Sequence, residues 1–398
     1  MTDQSNGVAD GALRNTARAM RPRDRTEHHR VSTPLELFFD LCFVVAVAQA
    51  GSQLAHALTE RHFGHGIEAY FIVFFAIWWA WMNFTWFASA YDTDDVPYRL
   101  ATLVQIAGAL VLAAGVPRAF DQEDFKVCVW GYVIMRIALV TQWVRAALGS
   151  EGAAKRMALR YAAGIVVVQV WWVLWVYLVP QHDRTWTFLL GAAADIAVPL
   201  LAERGTQSAW HPHHISERYG LFTLIVLGET VSAATIAVQS AVDEHQALGE
   251  LLPIAVGGLL ICFSAWWIYF ARPVAHALRQ NRQAFLWGYG HYVVFAAAAA
   301  IGAGLEVAVE QAVGKAHELS HREGALAVTV PTALFLLVIW ALHVRMMGKT
   351  RLQLAVYPVA TAGVLLVPTV LWAGVVCAAA VAAGLLLDRR PGMPRLST

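Results

Sequence analysis

Charge is scarce in this sequence. Only 14% of its 398 residues are Asp, Glu, Lys or Arg, against about 25% in an ordinary soluble domain. That shortage excludes a water-facing surface over most of the chain. Cysteine is scarce too. Cys42, Cys128, Cys262 and Cys377 each lie inside an apolar run at no redox or metal spacing, which excludes a disulfide framework and reads as small buried hydrophobes. The stretch from Met1 to about Arg30 is polar and Arg-rich and contains no apolar h-region, so no cleavable signal peptide is expected there. The net charge of +1 gives no reason to expect a nucleic-acid partner.

Apolar residues make up 58% of the chain, and they come in roughly a dozen runs of about 17–25, the length a helix needs to cross the hydrocarbon core. Lipid offers backbone N–H and C=O groups no partner, so such runs must be helices. The expected spans are 35–58, 67–90, 98–116, 125–148, 157–180, 186–202, 216–240, 251–271, 284–311, 325–347, 352–370 and 372–388, the last two parted near Pro368. The fold class is all-α and polytopic, and the bilayer is the first partner. With the N-terminus inside, most Lys and Arg fall in the inner loops. The exceptions are Arg61, Arg118, Lys126, Arg184, Lys315 and Arg322 on the outer side, and Arg136 within a span. The positive-inside rule then puts both termini in the cytoplasm of a bacterial cell, the protein lying in its inner membrane.

Internal similarity suggests duplication. Glu36-Leu37-Phe38-Phe39 opens span 1 and Glu217-Arg218-Tyr219-Gly220 opens span 7, while Trp78-Trp79 in span 2 is matched by Trp266-Trp267 in span 8. The organisation expected is a disordered basic tail over 1–32, parallel six-helix halves over 33–205 and 206–388, and a short tail over 389–398. Duplicated transporters place a shared site between their halves. Trp78, Trp79, Trp86, Trp266 and Trp267 would line its aromatic wall.

Ionisable groups inside a bilayer cost roughly 2.5–3.5 kcal/mol each on insertion scales and so mark function. Glu36 and Asp40 are one helical turn apart, and their mutual repulsion predicts that one holds a proton. Asp195 stands four residues before Pro199, whose missing N–H frees the Asp195 carbonyl. Glu229 follows Gly228, eleven residues beyond Arg218. Arg136 must pair with an acid, and Asp40, Asp195 and Glu229 are the candidates. His213, His214 and Glu217 have spacings that can hold a metal, although Pro212 interrupts a helix through the cluster, and the alternative is an interfacial loop.

The loop Asp92-Thr93-Asp94-Asp95 admits two readings. Hard cations want such oxygens, so Mg²⁺ could bind there with a diphosphate. The spacing also matches the proton-donating motif of one class of terpene cyclases, in which Asp92, Asp94 and Asp95 would be catalytic beside aromatic rings. On either reading the loop serves activity and not folding.

Leu35-Glu36-Leu37-Phe38-Phe39-Asp40-Leu41 with Phe43-Val44, the stretch from His214 through Glu217-Arg218-Tyr219-Gly220-Leu221 to Leu227-Gly228-Glu229, and the acidic loop with Arg99 together resemble the bacterial low-temperature-requirement A (LtrA) family. The similarity runs from about residue 30 to 385, departing at Tyr219, where a smaller polar residue or His is usual. It implies a multi-pass bacterial membrane protein tied by name to growth in the cold, and it assigns no activity. Three functions therefore compete. The first is a proton-linked transporter of a small molecule, and the second an intramembrane enzyme acting on a lipid or isoprenoid. The third is a structural or regulatory protein of cold, stiff bilayers. The first is favoured.

Overall fold

The computed structural model describes residues 17–25, 27, 30–243, 248–271, 274–275, 278, 281–316, 318–345 and 351–388. Among these residues there are twelve α-helices and no strand. They are α1 Pro34–Thr59, α2 Phe63–Tyr91, α3 Val96–Asp121, α4 Lys126–Leu148, α5 Gly152–Leu178, α6 Arg184–Ala202, α7 Pro212–Asp243, α8 Leu248–Phe270, α9 Asn281–Ala312, α10 His321–Ile339, α11 Arg351–Leu366 and α12 Val370–Asp388. Each expected run coincides with one helix, and Pro368 falls in the break between α11 and α12. Ten of these stretches are long and apolar enough to cross a membrane. The other two are α7, which carries Glu217, Arg218 and Glu229, and α11, with 16 residues. The chain is an all-α polytopic membrane protein.

Its polarity is reversed from that of a soluble domain. Leu366, Leu148 and Leu178 are 84%, 77% and 70% exposed, whereas Glu36, Asp40, Arg136, Asp195 and Arg218 are buried. Aliphatic side chains face outward where lipid can solvate them, and charge is kept inside against other protein groups.

Packing divides the chain into two compact units that are not contiguous halves. One comprises residues up to Ala50 with Glu68–Tyr219, and the other Gly51–Ile67 with Gly220 onward. In the first unit α3, α4, α5 and α6 pack against one another in chain order. The α3–α4 contact is close because Gly131 has no side chain: a Cβ there would stand 2.4 Å from the Leu112 nitrogen. Helix α2 is apolar on all sides and largely buried, as the core helix of a bundle must be. In the second unit α9 packs on α10, with the bare Gly304 against the Ala327 carbonyl, and α8 on α12.

The expected tails lie mostly outside the described residues: 1–16, 26, 28 and 29 of the first, and 389–398. Some residues of the first are described and make specific contacts. Met20 is buried, the Arg18 amide donates to Asp95 (2.8 Å) and the Arg23 amide to the Ala90 carbonyl (2.9 Å). The Arg30 guanidinium donates to the carbonyls of Ser89 and Ala88. The last carbonyls of a helix have no partner within it, and a cation there also opposes the negative end of the helix dipole. Arg23 and Arg30 therefore close the C-terminal end of α2.

Candidate functional site

The site begins with a helix start. Thr33 precedes α1, Pro34 is its first residue, and Glu36 is its third. The Glu36 amide donates to Thr33 Oγ1 (3.3 Å), and Glu36 Oε2 accepts from the Thr33 amide (2.8 Å). This reciprocal capping box fixes where the Glu36 carboxylate sits. One turn on, Asp40 points to the same side.

Helix α7 supplies the partners, from residues 178 and more positions away in sequence. Arg218 donates to Asp40 twice, from Nε to Oδ2 (3.0 Å) and from Nη2 to Oδ1 (2.6 Å), and its Nη1 stands 3.1 Å from Glu36 Oε1. His214, one turn earlier, brings Nε2 to 3.2 Å from Glu36 Oε1. Trp81 of α2 donates from Nε1 to Asp40 Oδ1 (2.7 Å). The side chains of Glu36, Asp40, His214 and Arg218 are all 0% exposed. A buried planar guanidinium that donates in a fork suits two carboxylates as an ammonium would not. The repulsion that predicted a proton on Glu36 or Asp40 is offset here by the cation between them.

The acidic loop lies beside this quartet and is largely structural. Asp95 is the N-cap of α3: its Oδ1 accepts from the Tyr98 amide (3.0 Å), and its Oδ2 from Arg145 (2.7 Å) and the Arg18 amide. Asp95 thus has a structural role, whatever else it does. Asp94 is exposed and held in a fork by Arg99, 2.7 Å at both contacts. Asp92 is the exception. Burial, reinforced by the charge of Glu36 and opposed by Arg30 and Arg23, pushes its carboxyl up to about 6 from an ordinary 3.8. The folded protein thus binds a proton there in the window between those values. Stability gains as pH falls through 6, and above 6 the ionised group costs on the order of 3 kcal/mol. Asp92→Asn is expected to raise the unfolding temperature at pH 7 and to flatten its rise between pH 6 and about 4. Thermal unfolding of wild type and variant across that range checks it, and parallel profiles would refute the assignment.

Asp195 takes Arg136, at 3.9 Å. Tyr132, one turn before Arg136, accepts from its Nη2 and donates to Asp195 Oδ2 (3.1 Å), and Trp172 Nε1 donates to the same oxygen (2.8 Å). Asp195 and Arg136 are 3% and 2% exposed. Of the other candidates for Arg136, Asp40 is taken by Arg218, and Glu229 is a half-buried residue of the second unit.

The remaining candidates separate. His213 is exposed, Glu217 Oε1 accepts from the Ser32 amide (3.2 Å), and His214 turns to Glu36, so the three do not converge. Among the described residues no group of three metal-ligating side chains forms. Trp78 and Trp79 are buried and Trp86 donates to the Tyr219 hydroxyl (3.0 Å), but Trp266 and Trp267 are 45% and 44% exposed. Trp78 and Trp79 belong to the first unit, and Trp266 and Trp267 to the second.

Sequence reasoning missed several partners. The Thr33-x-x-Glu36 pattern signals the capping box, and Tyr132 at four residues before Arg136 shares its face. Nothing in the sequence ties Trp81 to Asp40. It also passed over a buried network in the second unit: His291 Nδ1 donates to the Trp287 carbonyl (2.7 Å), the Tyr269 hydroxyl meets His291 Nε2 (3.0 Å), and Trp287 Nε1 donates to His343 Nε2 (3.1 Å).

An uncharacterized protein of Rhizobium meliloti (strain 1021) is 28% identical over 301 residues, which cover 68% of this chain and 67% of the relative. The family model described as bacterial low temperature requirement A protein (LtrA) matches residues 31–387, a span that holds both halves of the buried quartet, Asp92 and the Arg136–Asp195 pair. The chain belongs to the bacterial low temperature requirement A family.

Proposed function

We propose that this protein is a proton-linked transporter of a small molecule in the bacterial inner membrane, with both termini in the cytoplasm, and that the Glu36–His214–Arg218–Asp40 quartet is its proton-binding centre. The observation that carries this reading is the charge count in a sealed site. Two carboxylates and one imidazole converge on a single permanent cation, so the group can hold a variable number of protons. Gaining or losing one proton there changes how strongly Arg218 holds the two carboxylates together. The centre therefore has two charge states that differ in how tightly α1 and α7 are held, the kind of two-state element that transport needs. Asp92, with its carboxyl near 6 and within reach of the charge of Glu36, suits the loading of that proton from the cytoplasmic side. The enzyme reading is weaker, since Asp94 and Asp95 are engaged by Arg99, Arg145 and backbone amides.

The test uses proteoliposomes of the full chain filled with buffer and bathed in a mixture of small metabolites, with and without an imposed pH gradient, read by mass spectrometry of the lumen. The gradient is expected to drive accumulation of at least one solute in wild type and to drive none in Asp40→Asn or Glu36→Gln protein that is still monodisperse. Accumulation unaffected by the gradient, or surviving both variants, would refute the proposal.

A further inference from the structure

The segment before α1 has no regular secondary structure among its described residues, yet it is held at several places within the first unit. The Arg18 amide donates to Asp95 Oδ2 (2.8 Å) at the start of α3, and the Arg23 amide to the Ala90 carbonyl (2.9 Å) at the end of α2. The Arg25 guanidinium lies 5.3 Å from the ring centre of Trp210, within the range of a cation–π contact. A further hold is at the end of α4, where a Cβ on Gly149 would stand 2.7 Å from the Met20 carbonyl carbon. Gly149 has φ −86°, which any residue adopts, so the segment and not the turn is what excludes a side chain there.

These holds are light. Of residues 17–25 only Met20 is buried, while Ala17, Arg18, Ala19, Arg21 and Pro22 are exposed, so the segment is a single layer over the helix ends. Segments with few buried contacts open at the low end of a protein's range of local stabilities. What this one covers is a carboxylate. Arg23 Nη1 stands 3.6 Å from Asp92 Oδ2, and the Asp92 side chain is 4% exposed, whereas that of Asp94, two residues on, is 51% exposed. Burial is the largest influence on the Asp92 carboxyl and, with the charge of Glu36, outweighs Arg30 and Arg23, leaving it at about 6. A segment serving only the fold would be expected to cover apolar surface. This one shuts from water a group that water would stabilise.

We propose that residues 17–25 are a liftable strap that controls the access of water to Asp92, and that this carboxylate exchanges protons with its surroundings only when the strap is raised. Met20 seated against Gly149 pins the strap beside Arg23. That contact involves neither Asp92 nor the charges that act on it, so it can be broken without altering the carboxylate or its ionic neighbours. The proposal concerns one carboxylate at the helix ends and stands whether or not the protein transports.

The full chain in nanodiscs would be treated with a water-soluble carbodiimide and an amine, and the amidated carboxyls mapped by mass spectrometry. In wild type Asp94 is expected to react and Asp92 to stay protected. Gly149→Leu, which displaces the Met20 backbone, and Met20→Asp, which puts a charge at a buried position, should each abolish that protection. Asp92 should then react as fast as Asp94, while Glu36 and Asp40 stay unlabelled. Hydrogen exchange at the Arg18 and Arg23 amides reads the strap itself and should quicken in both variants. Asp92 labelled in wild type at the rate of Asp94 would overturn the cover. Asp92 still protected in variants whose strap amides exchange freely would overturn it as well, since the helices alone would then seal the carboxylate. Amides unchanged in both variants would overturn the light hold. Labelling of Glu36 together with Asp92 in both variants would make the strap part of the fold and refute a moving cover.

Discussion

Replacing Arg218 with Met is expected to destabilise the protein by about 3–5 kcal/mol, the usual result of removing one partner from a buried ion pair. The loss is not that of one contact. Arg218 makes two hydrogen bonds to Asp40 and one close ionic contact with Glu36. Without it, two carboxylates one helical turn apart remain in a site with no solvent access. Their repulsion and desolvation act together, so a marginally stable membrane protein would be recovered largely as aggregate. Arg218→Lys should fall between, because an ammonium retains the charge but cannot fork onto Asp40 while reaching Glu36. The decisive comparison is rescue. If the damage is electrostatic, Glu36→Gln with Asp40→Asn in the Met background should restore most of the folded yield and unfolding temperature. Thermal unfolding in detergent with size-exclusion recovery reads all four proteins. An Arg218→Met protein as stable as wild type would show that the quartet is not sealed.

The quartet also marks where the sequence stopped being readable. Apolar run lengths place the ten described helices that are long and apolar enough to cross a membrane, since the bilayer imposes a length on a span whatever it packs against. The rarity of buried charge singles out Glu36, Asp40, Arg136, Asp195 and Arg218 for the same reason. Pairing is a different kind of information. Glu36 meets His214 across 178 positions, and periodicity within one helix says nothing about which second helix lies beside it. In sequence, His214 therefore reads only beside its neighbours His213 and Glu217, as part of an interfacial loop or a weak metal site. The acidic loop failed in the opposite way. Asp95 before Val96-Pro97 is an ordinary helix start, but three acids in four residues invited a chemical explanation first. The Trp pairs mislead because their local sequence is alike while their burial is set by the helices around them. Trp79 is 0% exposed and Trp267 44%.

Asp195→Asn is expected to be nearly as damaging as Arg218→Met, again about 3–5 kcal/mol, but through a different geometry that a double-mutant cycle separates. At 3.9 Å the Arg136–Asp195 contact is long for a direct hydrogen bond, and Tyr132 bridges the pair by accepting from Arg136 and donating to Asp195. Asn at 195 keeps an oxygen that can accept from Tyr132 and Trp172, yet it removes the negative charge and leaves the guanidinium uncompensated inside the first unit. Arg136→Met alone leaves a carboxylate with two neutral donors, a milder fault, since O–H and N–H bonds still stabilise the anion. Tyr132→Phe breaks the bridge and spares both charges, so its cost should be nearer that of one buried hydrogen bond to a charged group, about 1.5–3 kcal/mol. The double variant Asp195→Asn with Arg136→Met removes both charges and should recover part of the loss. The expected order of stability, measured by thermal unfolding, is wild type, then Tyr132→Phe, then Arg136→Met, with Asp195→Asn lowest and the double variant above it. A double variant no more stable than Asp195→Asn would mean that the cation was never balanced by Asp195.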